Sequence, residues 1–289
     1  MILIAILVIL VCAITMIVIV DGNRFVTRQY TVYSEKIDKE YIIALLADMH
    51  NKQYGKDNYK LIGAIREMNP DFITCVGDML TARPGKDTDK VLSLFSYLKE
   101  FPVYYSLGNH EFRMKVYTED YGDAYEAYVR KLTEMGVKVL ENDCADIPDS
   151  SIRIQGLMIG REYYKRFEHI SMDAEYIRSL TGKKDDSKYE ILLAHNPEYF
   201  PSYAEAKADL ILSGHVHGGI MRLPFIGGVI SPKLKLFPRF DGGIFHHEMC
   251  QMILSRGLGA HTIPVRVFNP GELVQITLKP CQNDQKLVK

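Results

Sequence analysis

A layered α/β domain behind one apolar segment is the fold class this sequence predicts, and three observations predict it. Short runs of Ile, Leu, Val and Tyr alternate with stretches whose apolar residues recur at helical spacing. Most of these runs lead into Asp, Asn or His, at the carboxyl edge where open α/β sheets place their ligands. The first twenty residues are apolar on every side.

Ile2 to Val20 carries no charge. About 19 residues at a rise of about 1.5 Å cover roughly 30 Å, the thickness of a hydrocarbon core. Residues 1–20 therefore read as a single-pass transmembrane anchor. A cleavable signal would want basic residues before the apolar run and small residues at a cut site, and Val18 to Gly22 offers neither. Arg24 and Arg28 follow the segment and no basic side chain precedes it. That bias favours a cytoplasmic catalytic part, but large domains can override it, so the side is left open.

Residues 21–39 read as a polar tether with one strand over Phe25 to Val32, and 40–280 as the domain, with 281–289 as a tail. Tyr41 to Leu46 is a strand buried on both faces, ending in Ala47-Asp48-Met49-His50. Asn58 to Met68 has helical spacing and stops before Asn69-Pro70. Phe72 to Val76 is a second strand ending in Gly77-Asp78, followed by a helix over Asp89 to Lys99. Val103 to Ser106 is a third strand, ending in Gly108-Asn109-His110-Glu111. Alternation of this kind implies right-handed βαβ units.

Farther on, Tyr121 to Met135 reads as helix, and Val137 to Leu140 and Ile152 to Leu157 as strands around the turn-rich Asn142 to Ser151. Met172 to Leu180 is helical, and Lys183 to Lys188 is a solvated connection. Tyr189 to Ala194 is a strand ending in His195, and Leu210 to Ser213 leads into Gly214-His215-Val216-His217-Gly218-Gly219. A Gly/Pro-rich loop from Gly218 to Gly243 and strands over Met249 to Ser255 and Leu273 to Leu278 complete the chain.

At 289 residues, 47% hydrophobic and 25% charged, the composition suits one large globular domain. A formal charge of -1 argues against bulk nucleic-acid binding, which needs a basic face. Cys12, Cys75, Cys144, Cys250 and Cys281 are scattered without C-x-x-C spacing, so neither a disulfide framework nor a zinc knuckle is expected.

Five strand ends together supply Asp48, His50, Asp78, Asn109, His110, His195, His215 and His217. Any one of these is ordinary; their recurrence at successive strand ends is not. Asp48 and His50, two apart, can reach one ion from a single loop.

Asp48-x-His50, Gly77-Asp78, Gly108-Asn109-His110-Glu111, His195 and Gly214-His215-x-His217 resemble the ordered motifs of calcineurin-like metallophosphoesterases. The resemblance covers about residues 40–280 and implies a four-layer α/β/β/α sandwich with metals at the sheets' edge. It implies two metal sites, the first from Asp48, His50 and His217 and the second from Asn109, His195 and His215, with Asp78 bridging. Mn²⁺, Fe or Zn²⁺ would suit such mixed N/O ligation. Two divalent ions roughly 3.5–4 Å apart can hold a bridging hydroxide for in-line attack on phosphorus. His110 is then a spare imidazole able to protonate the departing oxygen.

Gly218 to Phe225, Phe237-Pro238 with Gly242-Gly243, and Ser255 to Gly259 resemble a membrane-associated bacterial subgroup, some of whose members are similar to UDP-2,3-diacylglucosamine hydrolases. The expected activity is a phosphodiesterase or pyrophosphatase, with a lipid-linked substrate made natural by the anchor. The alternatives are a broad phosphomonoesterase or nucleotide phosphodiesterase, and a non-catalytic membrane phosphate-binding scaffold. One departure stands out. In the phosphoprotein phosphatases an Asp-Arg pair follows the Gly-Asp motif and orients the acid histidine, whereas here Thr81 holds that place and Arg83 is displaced by one. Arg83 and Arg113 are candidates for holding phosphate oxygens, with plain solvent exposure as the default for each. His246, His247 and His261 match no motif.

Overall fold

Ile2–Asn23 forms one helix (α1), long and apolar enough to cross a membrane, whose side chains are largely exposed except for Asp21 in its last turn. The computed structural model describes residues 1–85, 88–165, 168, 170–182, 185–223, 225–231, 236–260 and 265–281. Lys183, Lys184, Pro224, His261 and the tail after Cys281 lie outside the described residues.

The chain continues as β1 (Phe25–Ser34), β2 (Tyr41–Leu46), α2 (Tyr59–Met68), β3 (Phe72–Val76), α3 (Asp89–Ser96) and β4 (Val103–Ser106). Then come α4 (Asn109–Val116), α5 (Thr118–Tyr121), α6 (Ala124–Glu134) and β5 (Val137–Leu140). The second half holds β6 (Cys144–Asp146), β7 (Ile152–Leu157), α7 (Ala174–Thr181), β8 (Tyr189–Ala194), α8 (Phe200–Glu205) and β9 (Leu210–Ser213). It closes with β10 (Met221–Leu223), β11 (Gly227–Ile230), β12 (Gly243–His247), β13 (Cys250–Leu254) and β14 (Gly271–Pro280).

Two six-stranded sheets result, ordered β1-β14-β2-β3-β4-β5 and β12-β13-β9-β8-β7-β6. β2 to β5 run parallel, as do β7, β8, β9 and β13. The two parallel blocks read as continuous apolar runs because both faces of each sheet are covered. One sheet face packs on α2, α3 and α6 through Leu61, Ile65, Phe95, Tyr128 and Leu132. The inner faces meet through Ile43, Leu45, Ile191, Leu193, Leu212 and Ile276. The outer face of the second sheet packs on α7 and α8 through Ile177, Phe200 and Tyr203. The layers are therefore α/β/β/α, as expected.

Several elements differ from expectation. The strand in residues 21–39 runs to Ser34 and pairs along its whole length with β14 as the edge of the first sheet. Asn109 and His110 open α4 instead of extending a strand-end loop. The helix expected over Tyr121 to Met135 is broken at Gly122, whose φ of 57° lies in the left-handed region. β6 lies inside the turn-rich stretch, and the Gly/Pro-rich loop contains the hairpin β10–β11.

β14 is antiparallel to β2 and parallel to β1. The amino ends of β1 and β14 therefore lie at the same edge as the carboxyl ends of β2, β3 and β4. α1 enters the domain at that edge.

Candidate metal centre

The loops leaving β2, β3 and β9 turn sharply enough to force side chains into the left-handed region. Asp48, His50, Asp78, His215 and His217 have φ of 49°, 49°, 53°, 74° and 53°. Each such non-glycine residue costs on the order of 1–3 kcal/mol and persists only where its surroundings hold it. The hold is visible: Asp48 N donates to Gly77 O, His50 N to Asp78 O and Asn51 N to Met79 O, each at 3.0 Å. Gly77 itself is confined (φ 78°), since a Cβ there would lie 2.2 Å from Gly108 N.

These turns bring all eight candidate residues to one place, and six of them are buried, with Asn109 and His215 half-buried. Asp48, His50 and His217 form one group of possible ligands, Asp78, His195 and His215 a second, and His50, Asp78 and His110 a third. Asp78 belongs to two of the three. Its Oδ2 lies 3.2 Å from His195 Nε2, 3.9 Å from His50 Nε2 and 4.0 Å from His110 Nε2. His50 Nε2 and His217 Nε2 face each other at 3.3 Å. Two donors each about 2.1 Å from a shared ion stand about 3–3.5 Å apart, so the 3.2 Å separation of Asp78 and His195 and the 3.3 Å separation of His50 and His217 suit ligation.

Hydrogen bonds at the other ring nitrogens set the tautomers. His195 Nδ1 lies 2.6 Å from Val76 O and His217 Nδ1 lies 3.2 Å from Gly259 O. Carbonyls only accept, so both rings donate from Nδ1 and turn Nε2 toward the cluster, as ligating histidines do. His110 is the reverse. The amide of Ala82 donates to its Nδ1 at 2.9 Å, leaving the ring proton on Nε2. The cluster thus contains imidazoles poised to bind a cation and one poised to give a hydrogen bond. Thr81 meets a different ring: its Oγ1 is 3.4 Å from His50 Nδ1.

The donor set also carries the marks of a site made for cations. Asn109 Oδ1 and His195 Nε2 are buried without a hydrogen bond among the described residues. A buried acceptor left this way is costly unless something positive meets it. Burial, reinforced by Asp78, pushes the Asp48 carboxyl up to about 7 against the opposing pull of His195. Burial works against the charge on Asp78 too, but His195, His110 and His50 together hold it well below the usual carboxylate range. Burial would lower His195, yet Asp78 and Asp48 lift it to about 9. The residues fit divalent cations.

Behind the cluster stand residues that sequence reasoning did not single out. Glu111, fully buried, accepts from Asp78 N (2.8 Å), Met79 N (2.9 Å), Gly108 N (3.0 Å) and Tyr105 OH (2.7 Å). It staples the loop after β3 to the start of α4, and burial raises its carboxyl above the ordinary range. Its place three residues after Gly108 is half a capping box, the signal that could have revealed it. Arg266, also buried, donates to Arg256 O, Gly257 O, Gly259 O, Asn269 O and Pro270 O. Asn269 Nδ2 donates to His217 O and Gly219 O, at 2.8 and 2.7 Å. The Tyr164 ring packs 5.3 Å from that of His215.

Arg83 and Arg113 are exposed. His246 and His247 sit on β12 toward the edge opposite the cluster, where His247 pairs with Cys250.

The family model described as calcineurin-like phosphoesterase matches residues 41–219. An uncharacterized metallophosphoesterase of Helicobacter pylori strain J99 is 30% identical over 88% of this chain. The chain spans 64% of that relative's length. A second, from Aquifex aeolicus, is 27% identical over 87% of this chain and 91% of its own. Among solved structures, a dimetal phosphatase from Danio rerio aligns with a TM-score of 0.45 at 11% identity, covering 76% of this chain and 88% of that one.

Proposed function

The chain belongs to the calcineurin-like phosphoesterase family, and from that premise we propose that it hydrolyses a phosphate diester or anhydride with two divalent cations. One cation would be held by Asp48, His50 and His217, the other by Asn109, His195 and His215, with Asp78 between them. When bound, the pair supplies Lewis acidity toward the phosphoryl oxygens and a nucleophile ionised near neutral pH.

The observation that carries the reading is the division of tautomers. Val76 O and Gly259 O hold His195 and His217 with Nε2 turned toward the cluster. Ala82 N holds His110 with a proton on Nε2, facing Asp78. His110 would therefore give the departing oxygen a hydrogen bond from an orientation fixed by backbone, in the place of the carboxylate that Thr81 lacks. Asp78 Oδ1 accepts from His110 N at 2.8 Å, so the same carboxylate that would join the cations also fixes where α4 begins. α1 would anchor the domain to a membrane.

The test is hydrolysis of bis-p-nitrophenyl phosphate by the full chain in detergent, with Mn²⁺, Fe²⁺ or Zn²⁺ supplied in turn. Asp78→Ala is expected to abolish turnover and to lower bound metal. Wild-type turnover in that variant would sink the reading.

A further inference from the structure

Five large apolar side chains stand in solvent beside the candidate centre: Phe225, Ile226, Leu236, Phe237 and Phe268, each 51% exposed or more. They sit on one small structure. Phe225 and Ile226 form the tip of the β10–β11 hairpin, between Leu223 and its partner Gly227. Leu236 bridges to Ile230, and Phe237 N donates to Val229 O at 2.9 Å. Phe268 follows Val267, which bridges to Met221. Single exposed apolar residues are unremarkable, but such a set on one protrusion marks an interaction surface.

The next residues say what it meets. Asn269 N donates to Asp21 Oδ2 at 3.0 Å, and Gly271 N to Arg24 O at 3.1 Å. The segment bearing Phe268 thus clasps the end of α1. Lys52 Nζ donates to Asn23 Oδ1 at 2.8 Å from the loop that carries Asp48 and His50. The same Asn269 holds His217 O. The helix long enough to cross a membrane therefore emerges from the edge that carries the cluster, with the apolar hairpin alongside.

We propose that Phe225, Ile226, Leu236, Phe237 and Phe268 dip into the headgroup layer of a lipid bilayer around the point where α1 leaves it, so that the centre opens at the bilayer surface. Aromatic and aliphatic side chains on a protrusion suit that boundary. A bilayer is favoured over a protein partner because Asn269, next to Phe268, is hydrogen-bonded to the end of the exposed apolar helix. Resting on the phosphoesterase reading, the substrate follows: a phosphate ester whose apolar portion stays in the membrane while its phosphate reaches the cluster.

The chain contains no tryptophan, so one introduced indole reports its surroundings alone. In the full chain reconstituted into phosphatidylcholine vesicles with brominated acyl chains, Phe225→Trp should emit at shorter wavelength and lose at least about half its intensity to the bromines. Phe268→Trp should behave likewise and serves if the first variant misfolds. Met249→Trp, an exposed turn at the opposite edge, should emit as in water without quenching. Water-like, unquenched emission from both phenylalanine positions would overturn the proposal.

A second measurement separates the surface from the chemistry. Phe225→Ser with Phe237→Ser should lower turnover of a dioleoyl phosphodiester in vesicles at least tenfold and leave bis-p-nitrophenyl phosphate hydrolysis unchanged. Equal loss on both substrates would count against a lipid contact. If the parent chain hydrolyses neither, the phosphoesterase reading fails, and the quenching result still decides the surface.

Discussion

His110 and Glu111 are neighbours with separable duties. Because the Ala82 amide occupies Nδ1, the His110 ring has only Nε2 with which to act. His110→Ala should lower kcat by about 10²–10³-fold, the usual worth of one positioned hydrogen-bond donor facing developing charge. Metal content, read by elemental analysis, should stay near wild type; metal lost along with activity would make His110 a ligand. Glu111 donates nothing and accepts from at least three backbone amides and a phenol. Glu111→Gln turns an amide group toward those amides and leaves buried donors unmatched. We expect about 2–4 kcal/mol lost in denaturant titration, with hydrogen bonds to a charged acceptor as the source. Unchanged stability would mean the loop after β3 holds itself.

At the scale of elements, Ser255 to Gly259 and Arg266 to Gly271 act as a bracket, and Arg266 is its pin. Its guanidinium satisfies Gly259 O, the carbonyl that His217 Nδ1 also needs. Arg266→Met should reduce metal affinity by about 10–100-fold, as loss of a group supporting a ligand does. Arg266→Lys should recover part of it. Isothermal titration with Mn²⁺ would measure both. Nothing in the sequence flags Arg266, because an arginine that caps carbonyls far along the chain leaves no local pattern. β2, β3, β4, β8 and β9 were legible for the opposite reason: strands covered on both faces must be apolar throughout. β10 to β12 are only half-buried, so their residues carry no such signature. α8 is six residues long, too short for a helical period to show. Asp48, Asp78 and the imidazoles were legible as an ordered set; which nitrogen each ring uses depends on carbonyls brought in by folding.

For the molecule as a whole, the cluster is a concentration of unlike demands that cations would reconcile. Asp48 rises to about 7 and His195 to about 9 in the folded protein, each above its ordinary value of 3.8 and 6.5. A group raised on folding lends stability that is complete below its unfolded pKa and is lost as pH climbs through the folded one. Asp78 is lowered, so its contribution fades only in acid, outside this window. Chelator-treated protein should therefore lose thermal stability as pH rises from about 4 to 9, first through Asp48 and then through His195, while metal affinity climbs over the same interval as the ligands shed protons. Calorimetry with and without Mn²⁺ would check it; identical pH profiles would show that the cluster does not bind the ion.

The direction of β14 bears on how such measurements are arranged. Its last residue, Pro280, pairs with Ser34 at the border remote from the donors, because the strand starts among them and runs away. An affinity handle grafted past Pro280 would hold the protein by its back. Immobilised that way on a sensor chip, the molecule would show its reactive rim to passing vesicles.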